Sequence, residues 1–166
     1  MKFSTKEIKQ QVITLLERVK DPEINTVSII DLGMVDKVTV DNTSIEINVL
    51  PTFSGCPALE IIRQNIVNEV SNLYTNFQVK VVFVYSPPWT SDRITEQGKK
   101  GLKEFGIAPP PNYIQENGAW HINCPYCDST YITMENLFGP TACRSILYCK
   151  DCKNPFEAMK PMLIQN

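Results

Sequence analysis

The sequence predicts an α+β protein. A small αββαβα domain with a mixed or antiparallel sheet and helices on one face is followed by a C-terminal four-cysteine zinc ribbon. Three observations carry this expectation. Apolar residues at helical spacing alternate with runs of period two as far as Phe105. The stretch Gly106-Ile-Ala-Pro-Pro-Pro111 then breaks the pattern. Beyond it lie five of the six cysteines, four of them in two CxxC pairs.

Thr5 to Lys20 places Ile8, Val12, Leu15, Leu16 and Val19 on one face of a helix, with Ser4 or Thr5 to cap it. Asp21-Pro22-Glu23 ends it, because proline disfavours the helical conformation of the residue before it. Val35–Val40 and Ser44–Leu50 largely alternate apolar and polar residues, as half-buried strands do, with Asp41-Asn42-Thr43 as their hairpin turn. After a Pro51–Gly55 loop, Pro57 to Leu73 reads as a second helix with Ile61, Ile62, Ile66, Val67 and Val70 inward. Val79–Tyr85 is β-branched and nearly continuous, which predicts a central, buried strand. Ser91 or Asp92 can cap a third helix running to Phe105. The expected division is a domain over 1–106, a polyproline-stiffened linker over 107–118 and a ribbon over 119–166.

A net charge of -2 and a pI near 5.5 offer no basic field to draw the chain to nucleic acid or an anionic membrane. No apolar run reaches the ~18 residues a membrane helix needs, and the N-terminus lacks the apolar core of a signal peptide. The expected location is the cytoplasm, where thiols stay reduced.

Cys124-Pro-Tyr-Cys127 and Cys149-Lys-Asp-Cys152 each let two thiolates reach one metal from a tight turn. Two disulfides, an iron centre or a structural zinc can all be written on four such thiols. The reducing location argues against the first, and zinc is the expectation. With all four ligand positions filled, the site is structural, and in so short a segment the metal supplies much of the folding energy. Cys143 lies outside the pairs. A small buried thiol in a turn is the expectation there, and a reactive thiolate favoured by Arg144 beside it is the competing reading. His121, the sole histidine, is expected to be a solvated or packed strand residue, and serves as a ligand only if one cysteine does not.

Cys56 stands apart, at the expected N-cap of the second helix, where unpaired N–H groups stabilise a thiolate. Gly55 allows a sharp turn there, and Thr52 and Ser54 supply hydroxyls. Asp21 and Glu23 face this loop if both lie at the same end of the sheet. A small buried residue starting a helix is the plainer alternative. No phosphate loop, catalytic triad or carboxylate pair stands out, so the chain is expected not to be an enzyme.

Asp21-Pro-Glu-Ile24, Val27-Ser-Ile-Ile-Asp31-Leu-Gly33, Thr52-Phe-Ser-Gly-Cys56-Pro57 and Pro88-Trp89-Thr90 resemble the iron–sulfur cluster assembly domain shared by SufT and the eukaryotic cytosolic targeting factor. With Gly106–Pro110, Phe138-Gly-Pro-Thr-Ala-Cys-Arg144 and the CxxC pairs, the whole chain resembles the PaaD (or PaaJ) family, the D subunits of the phenylacetyl-CoA ring epoxidase system. It departs from that pattern at Pro140, where a small residue such as serine is expected, and at Leu59, where methionine is.

The resemblance implies an accessory factor that matures or inserts an iron–sulfur cluster, in a system with a di-iron oxygenase and a flavin and [2Fe–2S] reductase. It implies the reductase and oxygenase components as partners, and Cys56 as the functional thiol in a pocket lined by Asp21, Glu23 and Thr52. Iron or a cluster would be held transiently. One Cys56 per chain cannot hold a cluster alone, so a homodimer is also expected. The competing reading is a structural or electron-transfer subunit of the oxygenase. A DNA-binding ribbon is disfavoured, since Arg144, Lys150, Lys153 and Lys160 are balanced by Asp128, Glu135, Asp151 and Glu157.

Overall fold

The computed structural model describes residues 3–111 and 114–162. The linker expected over 107–118 therefore includes two residues, 112 and 113, that lie outside the described set. The chain divides into two compact units, 1–89 and 90–166.

In the first unit, helix α1 spans Thr5–Leu16. Ser4 Oγ accepts the Glu7 N–H and Glu7 Oε2 accepts the Ser4 N–H, a reciprocal capping box at its start. Ile8, Val12 and Leu16, at successive i+4 positions, form the buried face. Strands β1 (Val35–Val40) and β2 (Ser44–Val49) pair antiparallel, helix α2 follows over Leu59–Leu73, and β3 (Gln78–Phe83) pairs parallel to β2. The sheet order is β1-β2-β3, so the sheet is mixed. Parallel neighbours need a long crossover, and α2 is that crossover.

β2 is thus the central strand, and its Ile45, Ile47 and Val49 are fully buried. The expectation of a central β3 is corrected: β3 is an edge strand in which only Val81 is buried, while Val82 is exposed. Its apolar run reflects preference for the pleated backbone more than two covered faces. Arg63 of α2 guards that edge. It donates to the Val81 carbonyl at 2.6 Å and lies 4.6 Å from the Phe83 ring centroid. α1 contacts β1 and α2, and α2 contacts β3, so both helices cover one face of the sheet. The buried stripe of α2 is Ile62, Ile66 and Val70; Ile61, expected inward, is exposed.

Between α1 and β1 the chain is irregular yet buries Val27, Ile29, Leu32 and Met34. Trp89, at the end of the unit, donates its indole N–H to the Leu32 carbonyl at 2.8 Å.

In the second unit a 3-10 turn at Ser91–Arg93 precedes helix α3, Glu96–Phe105. Its cap is Thr95, whose hydroxyl accepts the Gly98 N–H, and not Ser91 or Asp92. Gly106 closes the helix in the left-handed region at φ 89°, where an added Cβ would come within 3.0 Å of Tyr126 Oη. Ile107–Ala108, expected in a linker, is a short strand, β4. With β5 (Ile132–Asn136), β6 (Arg144–Cys149) and β7 (Pro155–Met159) it forms a sheet of order β4-β7-β6-β5. β4 and β7 run parallel and the other neighbours antiparallel. A small core of Ala108, Ile122, Cys124, Leu147, Cys149, Phe156 and Ala158 sits against this sheet.

Candidate metal centre and cysteine loop

The second unit brings Cys124, Cys127, Cys149 and Cys152 together, with all four sulfurs within 4.8 Å of one another. Each CxxC pair is a knuckle built the same way. The Cys124 N–H donates to the Ser129 carbonyl at 2.8 Å, and the Asp128 N–H returns to the Cys124 carbonyl at 2.9 Å. Twenty-five positions later, the Cys149 N–H donates to the Asn154 carbonyl at 3.0 Å, and the Lys153 N–H returns to the Cys149 carbonyl at 3.0 Å. The residue after each second cysteine takes the left-handed conformation, Asp128 at φ 63° and Lys153 at φ 62°. The Ser129 hydroxyl donates to the Asp151 carboxylate and ties one knuckle to the other.

The sulfurs fit a tetrahedral metal. A Zn–S bond of ~2.3 Å gives a tetrahedron edge of about 3.8 Å. Cys124 and Cys152 Sγ are 3.7 Å apart, and Cys127 and Cys149 Sγ are 3.6 Å apart. Cys124 and Cys149 are buried while Cys127 is exposed, so the site is dry on one side and wet on the other.

Four close sulfurs cannot all be anionic without a cation. Burial pushes the Cys124 thiol up. At Cys127 the Ser129 N–H pulls downward, but burial and the neighbouring cysteine thiols outweigh it and push the thiol up to about 12. Cys152 is drawn down to about 6, chiefly by hydrogen bonds from Asn154. In the metal-free fold Cys152 is thus the stabilised thiolate, Cys124 and Cys127 keep their protons at neutral pH, and a cation displaces those protons.

The other sulfurs are placed differently. Among the described residues no cysteine forms a disulfide. Cys143 is half-buried, its sulfur 3.2 Å from the Thr141 hydroxyl. The Arg144 guanidinium, expected beside that thiol, binds the Glu157 carboxylate at 2.6 Å and Thr141 Oγ1 at 2.8 Å. His121 is exposed and lies outside the four-sulfur group.

Cys56 is half-buried in the turn leading to α2. The expected N-cap placement is corrected. The helix begins at Leu59 with Ala58 as its cap, because a further turn through Pro57 intervenes. The Cys56 carbonyl accepts the Leu59 N–H at 3.4 Å, and its own N–H donates to the Phe53 carbonyl at 3.3 Å. Gly55 has no positive φ, and an added Cβ would meet Phe53 at an ordinary 3.5 Å, so the turn does not demand glycine. Thr52 is half-buried in the same loop.

Asp21 plays a structural part. Its Oδ1 accepts the N–H groups of Glu23 at 2.8 Å and Ile24 at 3.0 Å, folding the turn after α1. It also lines a cleft of about 430 Å³ with Asn25 and with Asn65, Asn68 and Glu69 of α2. None of the residues lining that cleft comes from the Thr52–Pro57 loop.

The domain families agree with this division. Residues 9–82 match the model of the iron–sulfur cluster assembly protein family, and residues 108–160 match the PaaD zinc beta ribbon domain. The chain is 35% identical to the D subunit of the putative 1,2-phenylacetyl-CoA epoxidase of Escherichia coli strain K12, over 90% of this chain and 91% of that one. The chain belongs to the PaaD family.

The N-terminal part has relatives of its own. The Fe-S protein maturation auxiliary factor YitW of Bacillus subtilis is 32% identical over 57% of this chain and 93% of its own length. The crystal structure of a domain of unknown function, DUF59, from Bacillus anthracis superposes with a TM-score of 0.55 at 30% identity, covering 59% of this chain and 93% of that one. PaaD-family membership thus joins an iron–sulfur assembly-type fold to a four-cysteine metal-binding ribbon in one chain. No helix among the described residues is long and apolar enough to cross a membrane.

Proposed function

We propose that this protein is a non-catalytic, cytoplasmic accessory factor of a 1,2-phenylacetyl-CoA epoxidase system, assisting iron–sulfur cluster assembly or insertion into the reductase component. One observation carries the reading: the chain joins an iron–sulfur assembly-type domain to a site that gathers four cysteine sulfurs within 4.8 Å of one another, enough to fill a zinc's coordination. A saturated site has no open position for substrate chemistry. Zinc held there cross-links the two knuckles and stabilises the ribbon as a docking module. The cluster is cargo, handled through Cys56 with Thr52 beside it in the loop and Asp21 and Glu23 from the turn after α1. One thiol per chain cannot retain a cluster, so hand-off uses a second copy of the chain or ligands of the client.

The test is iron and acid-labile sulfide in the reductase component, purified from cells carrying the wild-type chain, Cys56→Ser or no copy. Cluster occupancy is expected to fall several-fold in the last two. Equal occupancy in all three would sink the reading. A second reading, an electron-transfer subunit, draws on the same sulfur spacings, which also suit a rubredoxin-like iron. Iron and visible colour lost in Cys124→Ala would put it first.

A further inference from the structure

The second unit holds a cleft that neither the metal site nor Cys56 uses. It measures about 410 Å³, and α3 forms one wall, presenting Glu96, Lys99, Lys100 and Lys103. Pro109–Pro111 and His121–Asn123 form the other. Three lysines meet one glutamate in a chain whose net charge is -2, so positive charge is concentrated here against the overall balance. Glu96 is spent on Lys99, whose Nζ donates to its Oε1 at 2.9 Å. No carboxylate hydrogen bond ties Lys100 or Lys103 among the described residues, and both are exposed.

We propose that this cleft docks an extended acidic peptide segment of a partner protein. Lys100 and Lys103, the exposed pair, are three residues apart on α3, about 4.5 Å along the axis. Side chains at i and i+2 of an extended chain recur on one face every ~6.7 Å, a spacing that the long, exposed Lys100 and Lys103 side chains can span to meet alternating carboxylates. The wall of prolines offers an apolar surface for the alternate side chains and, lacking N–H groups, does not pair with the peptide as a strand would. The lysines are spread along a helix face as separate point charges. No arginine fork lines the cleft, the arrangement that would favour a compact phosphate. The inference concerns partner docking by the second unit and does not depend on Cys56.

The experiment is fluorescence anisotropy of the full-length, metal-loaded chain with a labelled peptide of alternating glutamate and valine. A peptide of alternating lysine and valine is the control and inorganic phosphate the competitor. Saturable binding of the acidic peptide is expected, with none of the basic one. Binding should weaken about tenfold in the Lys100→Glu/Lys103→Glu variant, and also when added salt screens the exposed charges. The variant's metal content and circular dichroism should equal those of the wild type, because both side chains lie on the exposed face of α3. The proposal is overturned by absence of saturable binding at low salt, by equal binding to the folded variant, or by displacement with equimolar inorganic phosphate, which would make the cleft a phosphate site. Peptide binding and cluster occupancy of the reductase are separate readouts, so failure of this proposal is distinguishable from failure of the Cys56 reading.

Discussion

Asp128 and Lys153 occupy equivalent places in the two knuckles. Each follows the second cysteine of its pair, each has φ near +60°, and each donates its N–H to the carbonyl of the pair's first cysteine. This hydrogen bond closes the turn that aims both thiols of a pair at one point. Left-handed backbone is costly for residues with a Cβ, so both positions are held there by the closed turn.

Lys153 is exposed, so its side chain can be changed without disturbing the core. Lys153→Gly should raise thermal stability by about 0.5 kcal/mol, since glycine adopts positive φ freely but loses more entropy on folding. Lys153→Val should lower it by about 1 kcal/mol or more, since β-branched residues avoid this region. Melting of the zinc-loaded protein checks the order Gly above Lys above Val; any other order would remove backbone strain as the explanation.

Metal affinity should depend on pH with a defined sign. Cys124 and Cys127 are shifted upward and are protonated at neutral pH in the metal-free fold, so metal binding releases their protons and affinity rises with pH. Cys152, held near 6, is already a thiolate above that pH and adds no proton there. Below about pH 6 it too must be deprotonated, and the slope steepens. Competition with a chromophoric chelator between about pH 5 and 8 measures this. A flat profile would mean that the metal binds without displacing protons.

Arg144 and Glu157 form a partly buried ion pair on the ribbon sheet, with side chains 7% and 29% exposed. Removing one partner leaves a charge stranded, so Arg144→Met should cost about 2 to 3 kcal/mol. The double change Arg144→Met/Glu157→Leu should recover much of that loss, because two apolar side chains need no partner. Chemical denaturation of the three variants decides; additive losses would show that the two residues act separately.

In the first unit, Trp89→Phe removes the donor to the buried Leu32 carbonyl. The expected loss is about 1 to 2 kcal/mol. Denaturant melts followed by far-ultraviolet circular dichroism test it. An unchanged midpoint would show that water replaces the indole.

Much of this molecule was legible in the chain. Ile8, Val12 and Leu16 mark α1 by spacing alone, and of the two caps the sequence offered, Ser4 and Thr5, the structure uses Ser4. β1 and β2 are found by alternation to within a residue. The four ligands are visible because a CxxC turn is local chemistry. Cys56 was harder to place: Pro57 marks a helix start, but the turn through Ala58 pushes the helix two residues along, and nothing local distinguishes the two starts. β7 leaves little local trace, because Pro155-Phe-Glu-Ala-Met159 is short and opens on proline, which weakens any strand signal.

What the sequence determined by itself is therefore what depends on near neighbours: helical stripes, strand alternation, caps and the double CxxC pattern. What only the tertiary structure decided depends on partners far along the chain. It placed β3 at an edge and β2 in the centre, and paired Arg144 with Glu157. It also set the proline segment opposite the lysines of α3. The physical reason is common to all three. A period of 3.6 or 2.0 records which face of an element is covered, but strand order and side-chain pairing are settled by long-range packing that no local pattern records.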